Sequence, residues 1–277
     1  MKVRVLGCSG AIGENCRTTS FLLDHDVLVD AGTGVGDLSL DEMAGIEHVL
    51  LTHAHLDHVV SLPLMVDAVS ALRRAPLQVY ALQPTLDALK AHIFNNVIWP
   101  DFSQIPHPEA PFIRLHPLAH GDRFKLASKH VEVLTAVHSI PAAGYAVRGS
   151  QALPGGKSRP NWVFTGDTES NPALWARLNQ LDIGMLVIET AFSDREAGLA
   201  RRSQHLSPES LASELARIET GRRFPIYISH TKPAETELIM AEIARFNDPC
   251  GQSEPGCSAA TSRYDIRWLR AGQVFDV

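Results

Sequence analysis

Thr52-His53-Ala54-His55-Leu56-Asp57-His58, directly after the apolar run His48-Val49-Leu50-Leu51, decides how this chain is read. A short Val/Leu run bounded by polar residues predicts a buried strand. Side chains two apart at a strand end point the same way, so His53 and His55 can grip one ion. Asp57 and His58 follow as the chain turns toward a helix, where they can face a second ion. Imidazole nitrogen with carboxylate oxygen suits zinc first, and also manganese or iron. Four metal-capable side chains in six residues are hard to explain as solvated loop groups.

Four ligands do not complete two sites, so more must come from elsewhere. Three candidates stand at the ends of other apolar runs: His138 after 131–137, Asp167 after 163–166, and His230 after 226–229. Each alone reads as a capping or hydrogen-bonded residue; together, in the same context as the first motif, they read as ligands. Asp167 has two oxygens and can bridge two ions. Asp30, in Val29-Asp30-Ala31-Gly32, either supports a ligating histidine from behind or caps its turn.

Working outward, the same run-and-break pattern predicts strands at 3–6, 27–29, 48–51, 77–82, 131–137, 162–165, 183–189, 226–229 and 266–269. Helices are announced by caps. Asn171-Pro172 starts one bearing Leu174, Leu178 and Leu181, and Ser207-Pro208 starts another bearing Leu211, Leu215 and Ile218. Pro233 is expected to open a third, with Ile239, Ile243 and Phe246 on one side. Mixed strands and helices without a Ser/Gly linker argue for helix-covered sheets over 1–277 as one domain. Polar loops are expected at 149–161 and 248–262. The Gly7-Cys8-Ser9-Gly10 and Gly13 cluster lacks the lysine and spacing of a phosphate loop and reads as a tight turn.

Composition narrows the class. The chain has 277 residues, 45% apolar and 20% charged, which excludes a disordered chain and a fibrous rod. Its formal charge of −6 gives no global basic field to hold a long nucleic acid. The most apolar stretch, 59–72, contains Asp67 and is too short for a bilayer. Cys8, Cys16, Cys250 and Cys257 form no Cys-x-x-Cys pair and read as reduced thiols of a cytoplasmic protein.

At this point the chain resembles a family. His53-x-His55-x-Asp57-His58, then His138, Asp167 within Thr165-Gly166-Asp167-Thr168, and His230 match the metallo-β-lactamase superfamily in order. The resemblance implies an αββα four-layer sandwich with a dinuclear metal site at one edge. It puts His53, His55 and His138 on one ion, Asp57, His58 and His230 on the other, and Asp167 between. Histidine at position 55 sets the chain apart from the diiron branch, which has glutamate there. Glu189-Thr190-Ala191-Phe192 and His205-Leu206-Ser207-Pro208 resemble the phosphodiesterase branch, which includes tRNA 3′-processing endonucleases and class II cyclic-nucleotide phosphodiesterases. In that branch the histidine matching His205 reaches the scissile phosphate or the departing oxygen, and an acid like Glu189 holds it.

Asn95-Asn96-Val97-Ile98-Trp99-Pro100-Asp101-Phe102 and Ser229-His230-Thr231-Lys232-Pro233 are similar to the cyclic-nucleotide class. The tRNA enzymes typically insert a long basic arm between the residues matching His138 and Asp167. Here that interval has only Arg148, Lys157 and Arg159 as basic side chains. The resemblance therefore implies a two-metal hydrolase of small phosphodiesters, above all 3′,5′-cyclic nucleotides. Asp57, His205 and Glu189 are its expected catalytic residues, and Trp99 and Lys232 its substrate contacts. No membrane or long nucleic-acid partner is expected, and a homodimer is allowed. The competing readings are a tRNA 3′-processing endonuclease and a non-catalytic metal-binding scaffold.

Overall fold

Alternation along the strands sorts their side chains into two sets. Phe21, Leu23, Val27 and Val29 enter one apolar cluster, while their neighbours Leu22 and Leu28 enter another. A strand buried on both faces lies inside a stack of layers. The computed structural model, which describes residues 1–248 and 262–277, shows that stack. The expected polar loop at 248–262, with Cys250 and Cys257, lies outside the described residues except at its ends.

The first sheet contains β1 (Lys2–Gly7), β2 (Ser20–Leu23), β3 (Val27–Val29), β4 (His48–Leu50), β5 (Leu77–Leu82), β8 (Ile113–Leu118) and β16 (Val274–Asp276). Its order is β16-β1-β2-β3-β4-β5-β8. A small hairpin, β6 (Pro106–His107) with β7 (Ala110–Pro111), precedes β8. The second sheet contains β9 (Arg123–Leu126), β10 (Lys129–Ala136), β11 (Ala142–Gly149), β12 (Asn161–Phe164), β13 (Ile183–Glu189), β14 (Pro225–Ser229) and β15 (Asp265–Trp268). Its order is β15-β14-β13-β12-β11-β10-β9.

Phe21, Val5 and Val29 of the first sheet share a cluster with Tyr145, Trp162, Phe164 and Val187 of the second. The Phe21 ring lies 5.3 Å from Trp162 and 5.0 Å from Phe164. On the outer face of the first sheet lie α1 (Leu40–Gly45), α3 (Ser61–Val69) and α4 (Gln83–His92), contributing Met43, Leu62, Met65, Leu86 and Leu89. On the other outer face lie α5 (Pro172–Leu178), α7 (Pro208–Leu215) and α8 (Thr236–Asn247), contributing Leu174, Trp175, Leu211, Leu215, Ile239 and Ile243. Two shorter helices, α2 (Leu56–Val59) and α6 (Ala197–Ser203), stand next to the histidine motifs. Three apolar clusters between four layers make the αββα sandwich.

The caps behave as expected at α5 and α7. Asn171 accepts from the Leu174 amide at 3.1 Å, and Ser207 forms a capping box with Ser210. The third start is corrected. The Glu235 amide donates to the Lys232 carbonyl at 2.9 Å, closing a turn that contains Pro233, and α8 begins only at Thr236. Ile218 and Leu181 lie past the ends of α7 and α5 and pack against the outer cluster from loops. Among the described residues no helix is long and apolar enough to cross a membrane.

Direction is what positions the site. β3, β4 and β5 are parallel, as are β12, β13 and β14. β10 runs the same way as β12 because each pairs antiparallel with β11. The loops after β10, β12, β13 and β14 therefore leave at one edge, the carboxyl ends where open α/β sheets place their ligand sites.

Candidate metal centre

That edge brings the predicted side chains together. β4 stops at Leu50, so His53 and His55 sit in an extended loop and not on the strand itself. They still converge: His53 Nε2 is 3.1 Å from His55 Nδ1, which is 3.0 Å from His138 Nε2. Asp167, after β12, points Oδ2 to within 3.7 Å of His53 Nε2, 3.3 Å of His58 Nε2 and 3.2 Å of His230 Nε2. Asp57 Oδ2 lies 3.7 Å from both His58 Nε2 and His230 Nε2. The donors fall into the groups His53–His55–His138, His53–His58–Asp167 and Asp57–His58–His230. This is the arrangement a binuclear metal site requires.

The residues fit cations on a second count. His58 Nε2 and Asp167 Oδ1 are buried without a hydrogen-bond partner; the 3.3 Å approach of Asp167 Oδ2 to His58 makes no hydrogen bond. Leaving such atoms unpaired costs about 1–3 kcal/mol each, which an ion at the centre would remove.

Behind His53, His58, His138 and His230 the far ring nitrogen is tied down. Thr52 Oγ1 lies 2.9 and 3.1 Å from the two oxygens of Asp30, and Asp30 Oδ1 also accepts from the Thr52 amide at 2.8 Å. A hydroxyl has one proton; once it is given to Asp30, Thr52 Oγ1 accepts from His53 Nδ1 at 2.9 Å. That tautomer leaves His53 Nε2 as a lone pair facing the centre. His58 Nδ1 donates to Asp30 Oδ2 at 2.7 Å, His138 Nδ1 to the Gln204 carbonyl at 3.0 Å, and Thr19 Oγ1 lies 3.3 Å from His230 Nδ1. Asp30 thus stands behind His58 directly and behind His53 through Thr52, the first of the two positions open to it. Thr19, Thr52 and the Gln204 carbonyl were not identified from sequence; only the position of Thr52, next to the first histidine, offered a hint.

At His53, His138 and His230 the electrostatics agree with ligand duty. Burial drives His53 well below the ordinary histidine range and holds His138 at about 4 and His230 at about 3, so their lone pairs are free at neutral pH. At His58 burial also disfavours charge, but Asp167 and Asp30 outweigh it and raise its pKa well above normal. For Asp167, burial opposes ionisation, while the neighbouring His230 and His58 imidazoles hold its carboxyl well below the usual range.

Two residues of the centre also carry an uncommon backbone. Asp30 and His230 both have positive φ, 56° and 62°, an uncommon geometry for side-chain-bearing residues. The glycine-rich turn after β1 lies against His230: the Ser9–Thr231 bridge and the Gly10 amide on the Thr231 carbonyl join them. A Cβ on Gly10 would stand 2.3 Å from the His230 carbonyl oxygen, so only glycine fits. The cluster read as a plain turn is a bed for a ligand loop.

His205 flanks the centre. Its ring stacks on His230 with centroids 5.3 Å apart and meets His138 edge-on at 4.8 Å. Its Nδ1 donates to Glu189 Oε1 at 2.8 Å. Glu189, fully buried, also accepts the amides of Thr168, Ala191 and Leu206. Burial disfavours the His205 cation, but the Glu189 charge and hydrogen bond overcome this and raise its pKa. Lys232 is drawn inward, with Nζ 2.6 Å from the Gly10 carbonyl and 5.8 Å from the Phe192 ring centroid. Trp99 packs, half-buried, against the cluster under α3 and α4 that holds Phe94 and Phe102.

A four-layer sandwich with a convergent His/Asp centre and a buried Glu–His pair at its rim defines a metal-dependent hydrolase. The chain belongs to the β-lactamase superfamily, whose domain model, described as "Beta-lactamase superfamily domain", matches residues 25–228. It is 28% identical to a ribonuclease Z of Bradyrhizobium sp. (strain ORS 278), a match covering 85% of this chain and 92% of that protein. It is 22% identical to a probable 3′,5′-cyclic-nucleotide phosphodiesterase of Yersinia pestis, covering 73% and 64%. Unliganded yeast PDE1 superposes with a TM-score of 0.77 at 18% identity, over 99% of this chain and 98% of that one.

Proposed function

We propose that the chain hydrolyses phosphodiester bonds of RNA, as the ribonuclease Z relatives do. The observation that carries the chemistry is the convergence of His53, His55, Asp57, His58, His138, Asp167 and His230, with His205 and Glu189 beside them. The observation that turns it toward RNA is the match to the Bradyrhizobium ribonuclease Z over 85% of this chain and 92% of that protein. Cations held by this set supply, when bound, charge that neutralises phosphate oxygens and acidity that yields a hydroxide nucleophile near neutral pH.

This chain's own residues do the rest. Asp57, nearly a third exposed at the mouth of the centre, orients the attacking water and accepts its proton. As the new P–O bond forms, the P–O bond to the leaving ribose oxygen breaks, and His205 gives that oxygen a proton. Glu189 fixes the His205 ring and favours its protonated form. A positioned acid of this kind is worth about 10²–10⁴-fold.

Cyclic 3′,5′-nucleotides are the second reading. The 95–102 segment and the Ser229–Pro233 motif favour it, together with the Yersinia relative. Metal-loaded protein offered a tRNA precursor with a 3′ trailer and, separately, cyclic AMP decides between them. Trailer removal with cyclic AMP untouched supports the first reading. Opening of cyclic AMP alone, impaired by Trp99→Ala more than bis(nitrophenyl) phosphate turnover, supports the second. His205→Ala should slow RNA cleavage by about 10²-fold or more at unchanged metal content, with a smaller loss for nitrophenolate leaving groups. Equal losses for good and poor leaving groups would remove His205 from the acid role.

A further inference from the structure

Away from the metal edge, the outer face of the second sheet carries a rung of basic side chains. Register pairs Lys125 of β9 with His130 of β10, and His130 with Arg148 of β11. Alternation puts all three on the face opposite the inter-sheet core, which takes Phe124, Val131 and Val147. Here no hydrogen bond or ion pair to Lys125, His130 or Arg148 side chains is found among the described residues. The rung lines a cavity of about 430 Å³. Two more cations border it, Arg123 and Arg177, and its one carboxylate, Glu132, is already bound by both at 3.1 and 2.6 Å. Four permanent cations against one engaged carboxylate, in a chain of net charge −6, is a local field of the opposite sign.

We infer that this groove binds phosphates of an RNA strand whose scissile bond lies at the metal centre, an inference that rests on the ribonuclease reading above. The separation argues for a polymer. His130 lies six residues before the end of β10, about 20 Å along an extended strand. A single nucleotide at the centre cannot reach the rung, whereas an RNA chain can occupy both. The groove supplies, from a sheet face, the basic contacts that the short 138–167 interval does not supply as an inserted arm.

The test uses the metal-loaded full chain and a fluorescently labelled tRNA precursor, with affinity followed between about 50 and 200 mM salt. Combined Lys125→Ala, His130→Ala and Arg148→Ala should weaken binding at least about tenfold. It should also make the log–log salt slope shallower by about 1.5, since Lys125 and Arg148 are the two permanent cations removed and each lost phosphate contact takes away about 0.7–0.9. Turnover of bis(p-nitrophenyl) phosphate should be unchanged. A control, Arg74→Ala with Lys90→Ala on the other side of the molecule, should leave the slope as it is. An unchanged slope in the triple variant, an equal change in the control, or a parallel loss of small-substrate turnover would overturn the inference. Inorganic phosphate, titrated in place of RNA, separates a small-anion site: saturable binding lost in the triple variant, with the RNA slope unaltered, also overturns it. If the precursor is bound through the rung but not cleaved, the groove stands and the proposed activity falls.

Discussion

The two edges of the sandwich bury charge to the same depth and treat it in opposite ways. At one edge Lys129, 1% exposed, is enclosed by Asp26 at 2.6 Å and Asp24 at 2.9 Å. At the other, His58 and Asp167 are as deeply buried, yet each presents one polar atom with no partner. The first edge is complete in itself: opposite charges meet, and nothing is left to bind. The second gathers groups of one kind, lone pairs, whose demand is met only by something the chain does not contain. Unmet demand, more than burial, separates a site from a structural ion pair.

The largest effects should break the open edge. Asp167→Ala removes the atom that three histidines approach, so metal content measured by elemental analysis should fall for both ions and turnover should fall by more than about 10³-fold. Full occupancy in that variant would end the bridging assignment. Chelation of the wild type should lower both turnover and Tm, with Tm recovering as metal is restored, because a ligand that binds only the folded state stabilises it.

The closed edge should respond in stability alone. Lys129→Met leaves two carboxylates facing each other without their cation, and breaking a buried pair from one side costs about 3–5 kcal/mol. Denaturant unfolding should show that loss, while metal content and turnover per folded molecule stay put. Adding Asp26→Asn should recover part of it.

A smaller effect lies midway, at Glu214. Its carboxylate accepts from the Asn171 amide at 2.8 Å, Trp175 Nε1 at 2.7 Å and Ser170 Oγ at 2.7 Å. Burial opposes its charge, but these donors and Arg217 hold its pKa below the ordinary glutamate range. With the folded value depressed, its contribution is fully present above the unfolded pKa and is lost as pH falls through the folded one. Glu214→Gln should therefore cost about 1–3 kcal/mol at neutral pH and flatten that acid limb of stability.

Much of the open edge was legible in the sequence because its signal is chemical and dense. Residues 53–58 name four donors at once, and His138, Asp167 and His230 each follow an apolar run. Three of the strands that escaped notice lack that contrast. β11, Ala142–Gly149, draws five of its eight residues from alanine and glycine, weak as a strand signal. β8 contains Pro117 and His116, and β9 alternates basic residues with Phe124 and Leu126 over only four positions. The basic rung was invisible for a related reason: Lys125, His130 and Arg148 are scattered along the chain and become neighbours only through sheet register. At Trp99 the packing was the hidden part: its segment reads as a motif, and nothing in the sequence marks that its ring rests half-buried on the outer cluster.

The contact between Gly10 and the His230 carbonyl has a consequence for how this protein tolerates change. A mutational scan read by chemistry would rank position 10 as inert, for it carries no functional group. The distances say otherwise: alanine there would meet the His230 carbonyl oxygen at 2.3 Å and its ring carbon Cδ2 at 2.9 Å. Any side chain at that place must push the His230 loop aside, so the hydrogen atom of a glycine is held as strictly as an imidazole, by a neighbour 220 residues further along the chain.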